Sequence, residues 1–156
     1  MAHLSQDPNL LAAFQRHEDI HISTAAKVYA VTPGEVTPDM RRIAKVMNFG
    51  IIYGLSAHGI AQQTDLDVKE GLAFIESYFG RYPGISSYVE ETKQQAREQG
   101  YVETVLGRRR YLPEITQSNF HVRQAAERMA VNMPIQGTAA DVIKIAMANI
   151  SNEIKM

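Results

Sequence analysis

Asp7-Pro8 and Thr37-Pro38 limit this chain more than any other feature. In each pair a residue that can accept backbone N–H bonds precedes a proline, whose fixed φ and missing N–H suit the first helical position. "DPNLLAAF" and "VTPDMRRIAK" are therefore expected to open helices, the second with Asp39 in the first turn, where the helix dipole favours an acid. "DVKEGLAFIESYF" offers a capping box from Asp67 to Glu70, and "RYPGISSYVEETKQQAREQG" reads as a helix after a Pro-Gly turn, closed by Gly100. Only "YVETVLGRRRYLP" breaks the pattern. It is β-branched and aromatic on both sides of Leu106-Gly107, which fits a short hairpin at 101–113. A long helix resumes near Asn119, and Pro134 and Gly137 are expected to interrupt it, with Thr138 and Asp141 restarting it. The fold class expected is mainly α with one short β-hairpin.

A chain of 156 residues can bury a real core, and 45% hydrophobic against 21% charged residues is ordinary for a soluble protein. No cysteine is present, which excludes disulfides and thiolate metal sites and fits a reducing compartment. No stretch approaches the roughly 20 apolar residues needed to span a bilayer, so no membrane partner is expected. There is no signal peptide pattern, internal repeat or low-complexity linker, and "NEIKM" ends the chain without terminal turn chemistry, as if cut from something longer.

The net charge of −1 hides a local division. Residues 64–91 carry six acids against Lys69 and Arg81; residues 105–128 carry five arginines against Glu114 and Glu127. "RRIAKVMNFGIIYG", residues 41–54, holds three cations and no acid. Such a distribution suits a protein that offers one side to a polyanion. On a helix, Arg41, Lys45, Phe49 and Tyr53 recur every four residues and form one slowly winding stripe, with Ile43, Val46, Met47, Gly50 and Gly54 as the packed face. Cations at one end and rings at the other suit an anion with a flat base attached. The glycines would let another group approach closely from behind.

Two further patterns carry candidate chemistry. "HEDIH", His17 to His21, matches the HExxH of zinc hydrolases, but nothing in the spacing nominates His3, His58 or His121 as third ligand, and Asp19 puts a charge inside the motif. Arg128, Asn132 and Gln136 form a stripe of long donors beside an apolar side of Ala125, Met129 and Met133. The duplex minor groove offers acceptors in nearly the same place for every pair, so such donors could grip DNA without reading sequence. No Gly-rich phosphate loop, nucleophile elbow or Cys/His dyad is present.

The residues 41–54 resemble the motif B helix of family A DNA polymerases, the bacterial polymerase I type, in the form Arg-x3-Lys-x3-Phe-x3-Tyr-Gly. The resemblance continues through "MAHLS", "DIH", "GYVETVLGRRRYLP" and "AAERMAVNMPIQGTAAD" in family order and covers nearly the whole chain. It implies the fingers of a right-hand polymerase with palm pieces: 1–36 as palm-to-fingers helices, 37–100 as fingers with the motif B helix at 38–54, the hairpin at 101–113, and 119–156 as palm-side helices. It implies that His21, Arg41 and Lys45 hold the phosphates of an incoming deoxynucleoside triphosphate and that Phe49 packs on its sugar and base. Tyr53, with Gly54, would check the nascent pair, while Arg128, Asn132 and Gln136 touch primer–template DNA. The family uses Mg²⁺ on carboxylates of motifs A and C. By resemblance these lie just before and beyond this chain, so it holds no catalytic carboxylate and no metal site, needs the remaining palm and thumb, and is expected to be inactive alone. A cytoplasmic, nucleoid-associated bacterial protein is implied. Alternatives are a phage-type single-subunit RNA polymerase, against which Phe49-Gly50 and "MPIQGTAAD" speak, and a non-catalytic helical module that binds DNA or protein.

A phenyl ring at Phe49 lacks a hydroxyl that could stand in for a nucleotide's missing 3′-OH. Phe49→Tyr in a complete enzyme is therefore expected to raise dideoxynucleotide incorporation relative to the normal substrate, read by chain-termination ratios.

Overall fold

The helix caps read from the sequence are in place. The computed structural model describes residues 1–154, apart from the Ile52 side chain. A short helix α1 (Ala2–Ser5) leads to α2 (Pro8–Gln15), whose cap Asp7 accepts the Leu10 N–H at 3.0 Å. Asp19 caps α3 (Ile20–Tyr29), accepting from His21 and Ile22. Thr37 caps α4 (Pro38–Ile52) through the Met40 N–H. Ser56 caps α5 (Ala57–Gln63), and Asp67 and Glu70 cap each other's backbone at 2.8 Å to open α6 (Val68–Arg81). Each satisfies donors that the first turn leaves without partners.

The Pro-Gly pair is not a turn. Helix α7 (Pro83–Gln99) begins at Pro83 itself, because the first helical positions need no intrahelical N–H bond. The Gly84 N–H instead donates to Asp7 Oδ2 at 2.9 Å. A Cβ on Gly84 would lie 2.7 Å from Asp7 Cα and 2.9 Å from the Ser5 carbonyl oxygen, so only glycine lets the two segments approach this closely. Gly100, at φ +75°, closes α7 as expected.

The chain divides into two units, Met1–Glu90 and Glu91–Met156. In the first, Ile43 and Met47 of α4 pack with Leu10, Ile60, Phe74 and Ile85, all buried. Burying each such side chain contributes about 1.5–3 kcal/mol before entropy is counted. The apolar face of α4 is thereby fixed inward.

In the second unit, β1 (Tyr101–Glu103) and β2 (Arg109–Tyr111) form the expected hairpin, antiparallel, with Val102 opposite Arg110 and Gly107 at φ +80° in the turn. Val102, Leu112 and Ile115 pack against Ala126, Ala130 and Met133 of α8 (Phe120–Ile154). Asn119 caps α8, as placed from the sequence. The expected interruption does not occur: α8 runs unbroken through Pro134. Proline removes the bond to the Ala130 carbonyl, but tertiary partners offset it. Thr138 does not restart a helix; its hydroxyl donates to the Pro134 carbonyl at 2.5 Å and accepts the Val105 N–H at 3.0 Å. Asp141 accepts from Arg108 Nε at 2.7 Å, while Arg108 Nη2 donates to the Gly137 carbonyl at 3.1 Å. The hairpin braces the helix where its own ladder is weakest.

Asp7 is fully buried and holds both Leu10 and Gly84. Asp7→Ala leaves the buried Leu10 N–H and the half-buried Gly84 N–H unpaired and should lower unfolding stability by about 2–4 kcal/mol, read as a reduced urea midpoint.

Candidate functional site

The stripe on α4 is real, but the structure divides it. Lys45, Phe49 and Tyr53 line one open cavity of about 520 Å³, together with Arg42, Leu55 and Gln63. Phe49 is 48% and Tyr53 50% exposed, so both rings stand in solvent instead of the core. Arg41 lies away from this cavity and faces α3. Its guanidinium donates to Asp19 Oδ2 through Nη2 at 2.7 Å and Nε at 3.1 Å. Arg42 is held by Asp65 at 2.7 Å and Asp39 at 3.3 Å. The expectation that no acid neutralises these cations is therefore corrected for both arginines, because their partners come from outside the stretch. Lys45 makes no ion pair among the described residues.

The end of α4 also differs in detail. The helix stops at Ile52, and Tyr53 is its cap, with the Tyr53 N–H directed to the carbonyls of Phe49 and Gly50. Gly54 is not on the packed face; it is exposed at φ 65°, a left-handed conformation that ends the helix. Val46 lines the open cavity instead of the core. Nor is the space behind Gly50 left for an outside group: a Cβ there would lie 2.7 Å from Leu55 Cδ2. Leu55 folds back under the helix end, its N–H donating to the Gly50 carbonyl at 2.7 Å.

His21, in the first turn of α3, reaches the aromatic end of the stripe; its ring centroid lies 5.9 Å from that of Phe49. Its Nδ1 is 3.0 Å from the side-chain nitrogen of Asn48, a residue the sequence reading did not nominate. Burial, partly opposed by Asp19 and reinforced by Arg41 and Lys45, holds the imidazole below its usual pKa. Hydrogen bonding from Arg41 lowers Asp19 in turn. His17 sits between α2 and α3 with φ 55°, so His17 and His21 do not form the one-turn helical pair that zinc hydrolases need. Asn48, Arg42 and Gln63 were missed because their roles depend on neighbours far along the chain. The available signal for Asn48 was a polar residue set in the apolar α4 register between Met47 and Ile51.

On α8, the buried face is Ala126, Ala130 and Met133; Ala125, expected there, is only half-buried. Asn132 and Gln136 line a cavity of about 230 Å³ with Arg108, Arg110, Met129 and Gly137. Arg128, two turns before Gln136, lies outside it. The structure thus groups two of the three expected DNA contacts with two hairpin arginines. Asn132 Oδ1 is buried without a hydrogen-bond partner among the described residues. Arg108 is committed to Asp141, whose carboxyl is lowered by hydrogen bonds from Thr104 and then Arg108. Arg109 is paired with Glu103 at 2.5 Å. Among the described residues no group of three or more His, Asp or Glu side chains could hold a metal ion, so the residues present do not fit a Mg²⁺ centre.

The first unit thus presents an exposed cation-and-ring helix, and the second a donor-lined helix beside a basic hairpin. Residues 1–156 match the family model of DNA polymerase family A, and the chain belongs to that family. It is 52% identical over 155 residues to DNA polymerase I of Bacillus caldotenax, covering 99% of this chain and 18% of that protein. It is 53% identical over 152 residues to DNA polymerase I of Pseudomonas aeruginosa, covering 97% and 17%. A solved structure, the POL domain of Pol1 from M. smegmatis in complex with DNA primer-template and dNTP, matches with a TM-score of 0.92 and 51% identity over 99% of this chain and 27% of that one. The chain spans less than a fifth of the length of these curated relatives. No helix among the described residues is long and apolar enough to cross a membrane.

Because folding lowers the His21 pKa from 6.5, the unfolded chain binds the proton more readily. The neutral ring's contribution to stability is full above pH 6.5 and is lost as pH falls through the folded value. His21→Gln should flatten that part of the stability–pH curve, measured by urea unfolding at stepped pH.

Proposed function

We propose that this chain forms part of a DNA-directed DNA polymerase and supplies the surface that receives the incoming deoxynucleoside triphosphate and steadies primer–template DNA. The observation that carries this reading is the open cavity on α4, which joins Lys45, an ammonium with no ion pair among the described residues, to two exposed rings, Phe49 and Tyr53. Lys45 and Arg41 contact the triphosphate, with Arg41 exchanging Asp19 for a phosphate oxygen. Cations placed there stabilise charge that builds on the transferring phosphoryl group and on the pyrophosphate. His21 adds a neutral donor. Phe49 packs on sugar and base, and Tyr53, followed by Gly54 at the helix end, stands where the new pair is tested. Residues 37–100 act as fingers, with 1–36 and 119–156 as palm-side helices. Arg128, Asn132 and Gln136 meet the duplex near the primer end.

Phosphoryl transfer in the family depends on divalent metal, Mg²⁺ in this proposal, and no three acids or histidines among the described residues gather into a site for it. The carboxylates belong to other parts of a complete polymerase, acting in the bacterial cytoplasm at the nucleoid. The isolated chain should therefore bind and not polymerise.

The test is fluorescence anisotropy of a labelled primer–template titrated with the chain at two salt concentrations. Binding should weaken with salt and weaken about tenfold further in Arg128→Ala/Gln136→Ala. Equal affinity of that variant would overturn the α8 assignment, and Mg²⁺-dependent primer extension by the chain alone would overturn the expected inactivity.

A further inference from the structure

Asn48 sits at the centre of a hydrogen-bonded cluster. Its side-chain nitrogen faces His21 Nδ1 at 3.0 Å, and its Oδ1 accepts from the Tyr78 hydroxyl at 3.1 Å. Thr24 Oγ1 lies 3.1 Å from the Asn48 nitrogen and 3.2 Å from its oxygen, so Thr24 does not choose which way the amide points. Tyr78 does. Tyr78 is 2% exposed, and with the amide reversed its hydroxyl proton would lose the Asn48 oxygen as acceptor. A buried donor without a partner is costly, so the phenol orients the amide.

The orientation of the amide decides the state of the imidazole. An amide N–H beside Nδ1 requires that nitrogen to be an acceptor, which leaves the ring proton on Nε2. A protonated ring would set two donors against each other. The charged groups around the ring act in both directions: Asp19 at the cap of α3 favours protonation, while Arg41 and Lys45 from α4 oppose it, and burial opposes it most. Phe49 covers part of the ring, and from α6 it is Tyr78 that completes the chain of donors.

We propose that Asn48 is a positioning residue: held by Tyr78, it fixes His21 as the neutral tautomer protonated on Nε2, so that the ring presents a hydrogen-bond donor to a phosphate oxygen. This rests on the nucleotide-binding reading of α4 for its ligand, but the tautomer itself does not. The consequence is a division of labour. Arg41 and Lys45 bring charge, while His21 brings a directed N–H that neither neutralises the phosphate nor removes a proton.

The experiment is ¹⁵N NMR of the histidine ring nitrogens in the labelled 156-residue chain at pH 7, followed by addition of a deoxynucleoside triphosphate. The expected spectrum shows His21 Nδ1 as an unprotonated acceptor and Nε2 as protonated. Tyr78→Phe, which keeps the ring volume and removes only the hydroxyl, should shift His21 toward a mixture of tautomers. Asn48→Asp, an acceptor-only group, should raise the His21 pKa by about one unit or more. A wild-type ring protonated on Nδ1, or charged at pH 7, overturns the proposal. So does a Tyr78→Phe spectrum identical to wild type. With the Nε2–H tautomer established, a shift of Nε2 on adding nucleotide supports the phosphate role. No shift leaves the tautomer standing and removes the nucleotide reading instead.

Discussion

The hydrogen-bonded cluster of Thr24, Asn48, Tyr78 and Tyr82 joins α3, α4 and the end of α6 in the middle of an otherwise apolar core. The rest of the first unit depends on it. An apolar core alone would allow α4 to rotate a little or slide about its axis at small cost. Directed bonds between buried polar groups do not, because each mismatch leaves a donor or acceptor unpaired. Burial pushes both phenols above their usual pKa, so they stay neutral across ordinary pH. With α4 fixed in rotation, Ile43 and Met47 face inward while Lys45, Phe49 and Tyr53 face the open cavity. The candidate site is the outer side of the same helix whose inner side makes the core.

A second device positions α8. Pro134 would break an isolated helix, yet the hairpin supplies Arg108 and the Val105 N–H to the turn that follows it. Thr104 and Arg108 converge on Asp141, so the strand ends and the helix hold each other. Gln136 and Asn132 lie on the turns flanked by these contacts. Arg108 therefore serves geometry as well as charge, and an arginine count overstates the positive surface available to a polyanion. Arg109, held by Glu103 and set over the Tyr101 ring, is committed in the same way.

What the sequence made legible is what local chemistry controls. Asp7, Thr37 and Asp67 announce helix starts because a cap acts within three residues. The hairpin follows from β-branched and aromatic residues around Gly107. The motif in 41–54 was readable as a cation-and-ring stripe, and its family resemblance agrees with the match over the whole chain. What failed was non-local. Asp19, 22 residues from Arg41, and Asp65, 23 residues from Arg42, neutralise arginines that look bare along the chain. Pro134 and Thr138 read as a stop and a restart because the partners that overrule them lie on the hairpin, about thirty residues earlier. Asn48 gave only the weak signal of a polar residue among apolar neighbours. Asn48 was missed because its partners, His21 and Tyr78, lie on other helices.

The central claim is that the outer side of α4 receives a nucleotide through residues whose inner neighbours hold the helix in place. Backbone chemical-shift mapping of the ¹⁵N-labelled chain during titration with a deoxynucleoside triphosphate tests it most directly. The account predicts perturbations confined to α4 and its facing residues, strongest at His21, Arg41, Lys45 and Phe49, and lost in Lys45→Ala. Perturbations centred on other elements, or unchanged by that substitution, would contradict it.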